Sequence, residues 1–219
     1  MESTCAKWFA AMAVTVAVST VIVAGCTTAT PLSDAEYRER AVALMKTSFK
    51  ANGQAQLDRL EQDEAARLCT DASAAKQPIA KPAAERIERA NLAAVRWPVD
   101  GKFVGDWRGG ERVAQSGVGK QFNDAADIAA GGNCYACHQI TREEISFGTI
   151  GPSLHNFGTI RAGMKREELE RYTYGKIFNS QAYSACSNMP RFGANQVLTE
   201  AQIKDLVALL IDPASPVNK

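Results

Sequence analysis

The stretch GGNCYACHQI, residues 131–140, places two cysteines two residues apart and follows the second directly with a histidine. Cysteine pairs at this spacing occur in redox-active dithiols, in zinc sites and where a c-type haem is attached. A zinc site needs about four ligands, and the chain has only one other histidine, His155, and no second pair of this kind. A redox dithiol is expected after a strand, and no strand pattern precedes this stretch. The order Cys-x-x-Cys-His therefore favours one covalently bound haem c. Cys134 and Cys137 would hold the haem, and His138 would be an axial ligand of the iron.

An apolar segment at the amino end indicates export from the cytoplasm. The run FAAMAVTVAVSTVIV, residues 9–23, is uninterrupted, and AGC follows it. Residues 1–26 are therefore predicted to be an export signal. Residues 23–26 also resemble a bacterial lipobox with Cys26 as the lipidated residue, although valine stands in the usual leucine position. Lipidation, ordinary cleavage nearby and an uncleaved membrane anchor all remain open, and each places the body of the protein in the periplasm.

The composition describes an ordinary globular body. Of 219 residues, 46% are hydrophobic and 22% are charged, and the formal net charge is +1. Such a balanced chain gives no electrostatic reason to expect a nucleic-acid partner. Alanine is abundant and β-branched runs are few after residue 30, which favours helices over strands.

The haem iron needs a second axial ligand or an open position, and three downstream residues are candidates. Met189 stands in SNMPRFG, where the following proline favours an extended loop from which a thioether can reach the haem. Met164 precedes a charged helical run, and His155 lies in the loop sequence LHNFG. Met189 is the favoured ligand, with His155 and Met164 as alternatives.

Residues 30–98 have the pattern of a helical extension. The segment 31–49 opens with Ser33 and Glu36 at the spacing of a capping box and continues as an amphipathic helix. A second helix is predicted within residues 54–69, and a third within residues 83–97, which Pro98 ends.

Residues 99–219 form the predicted haem domain. Its first helix is DWRGGERVAQSG, its middle helix is MKREELERYTYGKIFN, and its last helix is LTEAQIKDLVALLIDP. Thr199 and Gln202 have the spacing of a capping box for the last helix, which carries an apolar stripe at helical spacing.

The motifs CYACH, GTIGPSL and NMPRFG occur in the order seen in single-haem class I cytochromes c. This resemblance implies an all-α class I cytochrome c fold whose first and last helices cross beside the haem. It also implies that the backbone carbonyl of Pro152 accepts a hydrogen bond from the proximal imidazole, which fixes the ring.

A narrower resemblance covers roughly residues 92–213. GGNCYACHQI, EISFGTIGPSL and CSNMPRFG, with the lead segment WPVDGKFVGDWRGGERVAQSG, closely resemble the SoxX family, the single-haem subunits of SoxAX complexes. The resemblance implies that SoxA joins thiosulfate oxidatively to a cysteine of the carrier SoxYZ, a thiosulfotransferase reaction at an L-cysteine. The SoxX chain would pass the electrons to a small soluble cytochrome c. No cysteine here matches the substrate-site role, so this chain alone is not expected to be catalytic.

Two cysteines remain once the others are assigned. Cys5 lies within the export signal, and Cys69 and Cys186 are left as a pair in an oxidising compartment. We expect a disulfide between them, with Cα atoms within about 7 Å of each other. Such a bond would clamp the extension against the loop that carries Met189.

Three other functions remain open for the same motifs. One is a generic periplasmic electron shuttle without a dedicated partner. Another is a haem peroxidase in which Met189 dissociates from the iron. The third is a haem-bearing sensor whose output is the N-terminal helices.

Overall fold

The computed structural model describes residues 31–219, so the predicted export signal and Cys26 lie outside the described residues. These residues contain no β-strand, and the Asn52–Ala55 pair is an isolated bridge. The helices of the described chain are α1 (Asp34–Ser48), α2 (Glu64–Ala74), α3 (Lys81–Ala93), α4 (Trp107–Gln115), α5 (Phe157–Ile160), α6 (Arg166–Phe178) and α7 (Glu200–Ile211). Short 3₁₀ turns span Leu57–Leu60, Cys134–Ala136, Ser180–Ala182 and Pro216–Asn218.

Helix α1 begins at its predicted capping box. The Ser33 N–H donates to Glu36 Oε2 at 2.8 Å, and the Glu36 N–H donates to Ser33 Oγ at 3.3 Å. No residue of α1 is buried, and Leu44 is 66% exposed. The predicted helix is therefore confirmed, but none of its apolar residues is buried. The chain divides into two units after Ala41, inside α1.

The second predicted helix lies later in the chain than its apolar spacing suggested. Residues Leu57–Leu60 form a 3₁₀ turn, and α2 begins only at Glu64. The reason is local, because the Asp63 carboxylate accepts the Ala66 N–H at 2.8 Å and caps a new helix start. Helix α3 starts with Pro82 in its first turn and ends at Ala93, earlier than the predicted end at residue 97.

The predicted helices of the C-terminal part are confirmed as α4, α6 and α7. Asp106 caps α4 by accepting the Arg108 N–H at 3.1 Å. Thr199 and Gln202 form the predicted capping box at the start of α7, where the Thr199 N–H donates to Gln202 Oε1 at 2.9 Å. These reciprocal bonds satisfy amide groups that a helix start would otherwise leave unpaired.

Helices α4 and α7 cross at very close range, as the resemblance implied. The Gly105 N–H donates to the Lys204 carbonyl at 3.0 Å. A Cβ atom added at Gly110 would lie 2.2 Å from the carbonyl oxygen of Asp205 and 2.9 Å from Leu209 Cβ. The backbones approach this closely because glycine presents no side chain at the crossing.

The main core packs around α6 and α7. Tyr174, Ile203 and Val207 are fully buried within it. The Tyr174 ring lies 5.5 Å from Phe103 and 6.0 Å from Trp97, measured between centroids. Its hydroxyl donates to the Arg96 carbonyl at 3.2 Å, and burial raises the pKa of Tyr174 to about 12. The phenol therefore stays neutral in the core.

A second, smaller cluster joins α2 and α3 to the segment that follows α6. Ala65, Ile87 and Ala185 are buried together, and Leu68 packs against them. The helical extension thus has its own apolar contact with the segment leading to Met189. Within residues 31–219, no helix has the length and apolar character that crossing a bilayer requires.

Candidate haem site

An apolar cleft, defined here by Cys134, His138, Met189 and the helix residues around them, lies within the C-terminal half of the chain. Its walls come from three helices, with Ala114 from α4, Ile177 from α6 and Leu206, Leu209 and Leu210 from α7. The structure thus brings the first predicted thioether cysteine and both predicted axial ligands to one cleft.

The segment that carries the two cysteines is fixed to the end of α4. The Gly132 N–H donates to the Val113 carbonyl at 2.8 Å, and the Asn133 N–H donates to the Ser116 carbonyl at 2.9 Å. Asn133 has a φ of 45°, in the left-handed region that asparagine tolerates. From there the chain turns through Cys134–Ala136, and the His138 N–H donates to the Cys134 carbonyl at 2.9 Å.

Both cysteines of the motif are free thiols. Cys134 packs against the main core, and burial raises the pKa of its thiol to about 12. A thiol in this environment stays neutral, which suits an apolar wall.

The imidazole of His138 is held by one hydrogen bond. Its Nδ1 lies 2.7 Å from the Pro152 carbonyl oxygen. Because a carbonyl can only accept, Nδ1 is the donor in this contact, and in the neutral tautomer that makes this contact the lone pair lies on Nε2. The contact that the resemblance implied for Pro152 is present, and the free lone pair is what an iron ligand requires.

Gly151, a residue of the GTIGPSL motif, makes room for this imidazole. A Cβ atom at Gly151 would lie 2.1 Å from His138 Cε1 and 2.4 Å from Nδ1. The Gly151 N–H also donates to the Cys137 carbonyl at 2.8 Å, which fixes the backbone beside the ring. Only glycine can occupy this position while the ring keeps its place.

We expect Gly151→Ala to displace the His138 ring and to weaken proximal ligation. The added methyl group meets the aromatic ring itself, which cannot move without losing its hydrogen bond to Pro152. The haem spectrum of the purified variant should show altered axial ligation, and its thermal stability should fall. Gly163→Ala is the matched control, since no atom lies within 4 Å of a Cβ added there. Identical spectra for Gly151→Ala and the parent protein would contradict this role.

Met189 is held through its backbone by two serines. The Ser180 hydroxyl donates to the Met189 carbonyl, and the Met189 N–H donates to Ser187 Oγ at 3.2 Å. Ser187 stands two residues before the methionine, a spacing at which serine commonly bonds to the backbone. Ser180 begins the 3₁₀ turn Ser180–Ala182 that follows α6, and this contact has no local sequence signal.

The alternative ligands lie elsewhere. Met164 is 40% exposed, and neither Met164 nor His155 is among the residues that line the cleft. His155 Nε2 accepts a hydrogen bond from the neighbouring Asn156 side chain at 3.0 Å. In the structure, then, Met189 is the cleft-lining member of the three candidates.

The remaining pair of cysteines is joined by a disulfide. Cys69 on α2 and Cys186 have Cα atoms 5.5 Å apart. Cys186 stands three residues before Met189. The extension is thus covalently linked to the loop that ends in the cleft.

The residues of the cleft fit a haem in chemistry and in order. Aliphatic walls suit a porphyrin plane, the two thiols of the motif are unpaired, and His138 offers a free imidazole nitrogen. Among residues 31–219, no group of three or more His, Cys, Asp and Glu side chains could hold a metal ion.

Comparison with known proteins agrees with this chemistry. Residues 118–211 match the cytochrome c family, and they lie within the predicted haem domain. A protein of Aquifex aeolicus (strain VF5) described as an uncharacterized lipoprotein is 41% identical over 130 residues. That alignment covers 58% of this chain and 59% of the relative's length. Residues 31–219 are helical without strands, and residues 118–211 within them match a cytochrome c domain.

Proposed function

We propose that this chain is a single-haem c-type cytochrome that transfers electrons outside the cytoplasm. Cys134 and Cys137 would hold the haem through thioether bonds, and His138 and Met189 would be its axial ligands. The observation that carries the proposal is the apolar cleft lined by Cys134, His138 and Met189 together. The bound haem would supply a one-electron centre that alternates between the ferrous and ferric states.

Each residue around the cleft has a task in this proposal. The Pro152 carbonyl accepts a hydrogen bond from His138 Nδ1 and orients the ring, which would leave Nε2 for the iron. The leucines of α7 exclude water, and a dry site disfavours the extra positive charge of ferric iron. If His138 and Met189 both ligate the iron, the bound haem would have no open position for oxygen or peroxide. This favours electron transfer over a peroxidase.

Within this class we propose a SoxX-type role. The support is the combination of GGNCYACHQI, EISFGTIGPSL and CSNMPRFG in one chain. The partner SoxA would bind thiosulfate and join it to a cysteine of SoxYZ, with release of two electrons and the thiol proton. This chain would take up those electrons one at a time and pass them to a small soluble cytochrome c.

The pairing of the cysteines supports the proposal that this chain has no substrate-binding thiol of its own. Cys69 and Cys186 are bonded to each other, and Cys134 and Cys137 have the haem as their proposed partner. Among residues 31–219 no further cysteine exists. The substrate site of the complex would therefore be in SoxA.

The decisive experiment is thiosulfate-dependent reduction of the haem. The purified holoprotein is mixed with thiosulfate alone, with SoxA, with SoxYZ, and with both, and its visible spectrum is followed. We expect reduction only when both partners are present, and co-purification of SoxA with this chain. If the haem is reduced equally with and without SoxA and SoxYZ, the protein is a generic electron shuttle. If it is reduced in none of the mixtures, the proposed role in thiosulfate oxidation is wrong.

We further propose that the protein is exported and lipidated at Cys26. The support is the apolar run ending in VAGC together with the lipoprotein description of the Aquifex relative. One acyl chain binds a membrane only marginally, whereas two give stable anchoring. Mass spectrometry of the N-terminal peptide from membrane fractions should show diacylglycerol on Cys26. Release of the protein by salt alone, with an unmodified N-terminus, would contradict anchoring.

We expect Met189→Ala to retain covalent haem but to lose the sulfur-to-iron charge-transfer band at the red end of the oxidised spectrum. The reduction potential should fall by more than about 59 mV, a tenfold change for one electron, because a thioether favours ferrous iron. Redox titration monitored by absorbance measures both effects. Met164→Ala is the control, and if it removes the band while Met189→Ala keeps it, the ligand assignment is wrong.

A further inference from the structure

We infer that α2 and α3 form a clamp that positions the loop carrying Met189. The clamp is defined by Asp63 and Cys69 at α2 and by Glu88 on α3, and the loop is residues 185–191. The inference rests on the proposed function in one respect, namely that Met189 is an iron ligand. It assigns a positioning role to the extension, which the cytochrome c family match does not cover.

The first of three contacts between the clamp and the loop, called straps here, is covalent. The disulfide between Cys69 and Cys186 fixes the loop three residues before Met189. The two cysteines are 117 positions apart in the sequence, so the bond links the extension to a distant part of the chain. The Ala185 carbonyl lies 3.7 Å from Cys69 Sγ, which places the backbone of the loop directly against α2.

The second strap is ionic and lies on the other side of the methionine. Arg191, two residues after Met189, places Nη2 at 2.9 Å from Asp63 Oδ2. The same Asp63 carboxylate also caps α2 by accepting the Ala66 N–H, and this hydrogen bond fixes its position independently of the arginine. That amide first, and Arg191 in addition, hold the pKa of Asp63 below its usual range, and the pair is therefore charged at neutral pH.

The third strap comes from α3. Glu88 Oε1 accepts the Ala185 N–H at 3.1 Å, and Ala185 is buried with Ala65 and Ile87. About one turn further along α3, Asn91 Oδ1 accepts a hydrogen bond from the Asn179 side-chain amide at 2.9 Å. The segment before the loop is thus fixed by polar and apolar contacts with the same two helices.

These straps leave Met189 in a short span with both ends fixed. From Cys186 to Arg191 the chain has only four intervening residues, and Ser187 and Ser180 hold the methionine backbone between them. A methionine side chain has three rotatable bonds and adapts easily, so its placement depends on the backbone that carries it. Fixing both ends reduces the conformations open to the loop when the thioether leaves the iron, which favours its return.

The test is the rate at which imidazole displaces the methionine from the oxidised holoprotein, followed by loss of the sulfur-to-iron band. It is run well below the unfolding temperature on the parent protein, on Cys69→Ser/Cys186→Ser, and on Asp63→Asn. Asparagine can still cap α2, so this variant removes the charge while keeping the helix start. The matched control is Glu64→Gln, which breaks the 2.6 Å ion pair with Arg86 between the same two helices but touches no residue of the loop.

We expect displacement to be at least about tenfold faster without the disulfide, which corresponds to about 1.4 kcal/mol. Asp63→Asn should give about a threefold increase, as a half-exposed ion pair contributes modestly. Glu64→Gln should match the parent protein. Since a general loss of stability would affect Glu64→Gln as well, a change confined to the first two variants identifies positioning.

Two outcomes overturn the clamp and are distinct from failure of the proposed function. If the parent shows the band and all variants exchange imidazole at the parent rate, the extension does not position Met189. If Glu64→Gln accelerates exchange as much as Asp63→Asn, the effect is general destabilisation. If the parent has no sulfur-to-iron band, or Met189→Ala retains it, the ligand assignment itself fails whatever the variants do.

Discussion

Replacing both Cys134 and Cys137 with serine is expected to give a protein that carries no covalent haem and folds poorly. Without its thioether bonds the haem can be extracted, and an empty cleft leaves the apolar side chains of α4, α6 and α7 without partners. Protein interiors close such gaps only in part, and the unfilled space costs stability. Haem staining after denaturing electrophoresis measures attachment, and circular dichroism on heating measures folding.

The single variants and the other cysteine pair are the controls for this result. Cys134→Ser and Cys137→Ser should each retain one thioether bond and part of the haem stain. Cys69→Ser/Cys186→Ser should keep full attachment, because its cysteines lie outside the motif. A double variant at Cys134 and Cys137 that lacks haem yet unfolds at the same temperature as the parent would contradict the expected loss of stability.

Gly110→Ala is expected to destabilise the protein by about 2–3 kcal/mol, in spite of the higher helix propensity of alanine. Propensity alone would favour alanine by about 1 kcal/mol. The new Cβ would, however, lie 2.2 Å from the Asp205 carbonyl oxygen, which belongs to the backbone of α7 and cannot turn away. The two helices must separate, and the wall that α7 gives to the cleft moves with them.

Denaturant unfolding of the holoprotein measures the effect of Gly110→Ala. Gly163→Ala is the control, since a Cβ there meets no atom within 4 Å and the residue has no positive φ. Such a change should lie within about 0.5 kcal/mol of the parent. Equal stability of Gly110→Ala and Gly163→Ala would mean that the α4–α7 contact tolerates a methyl group.

Local sequence signals predicted those elements whose ends are fixed by neighbouring residues. The capping boxes at Ser33 and Thr199 are examples, because both partners lie within three residues. The start of α2 was misplaced because the apolar spacing of Leu57 and Leu60 continues through Asp63, whose capping role the pattern does not reveal.

At the candidate site, too, some residues could be predicted from the sequence and others could not. The residues of the haem motif and Met189 stand in short, specific strings, so their presence could be read directly from the sequence. The contacts that support them could not, since nothing in the GTIGPSL motif shows that the His138 ring lies against Gly151. The contact between Asp63 and Arg191 spans well over a hundred residues, and no pattern in one sequence encodes such a pairing.

The disulfide also determines the covalent topology of the chain. Cys134 and Cys137 lie between Cys69 and Cys186, so the crosslink closes a ring that contains the whole haem motif. A protease that cuts once within residues 70–185 would leave two fragments still joined, and only a reductant would part them. The ring would also shield residues 70–185 from mechanical extension, because a pull on the two ends of the chain is carried by the bond between Cys69 and Cys186 and not by the chain between them.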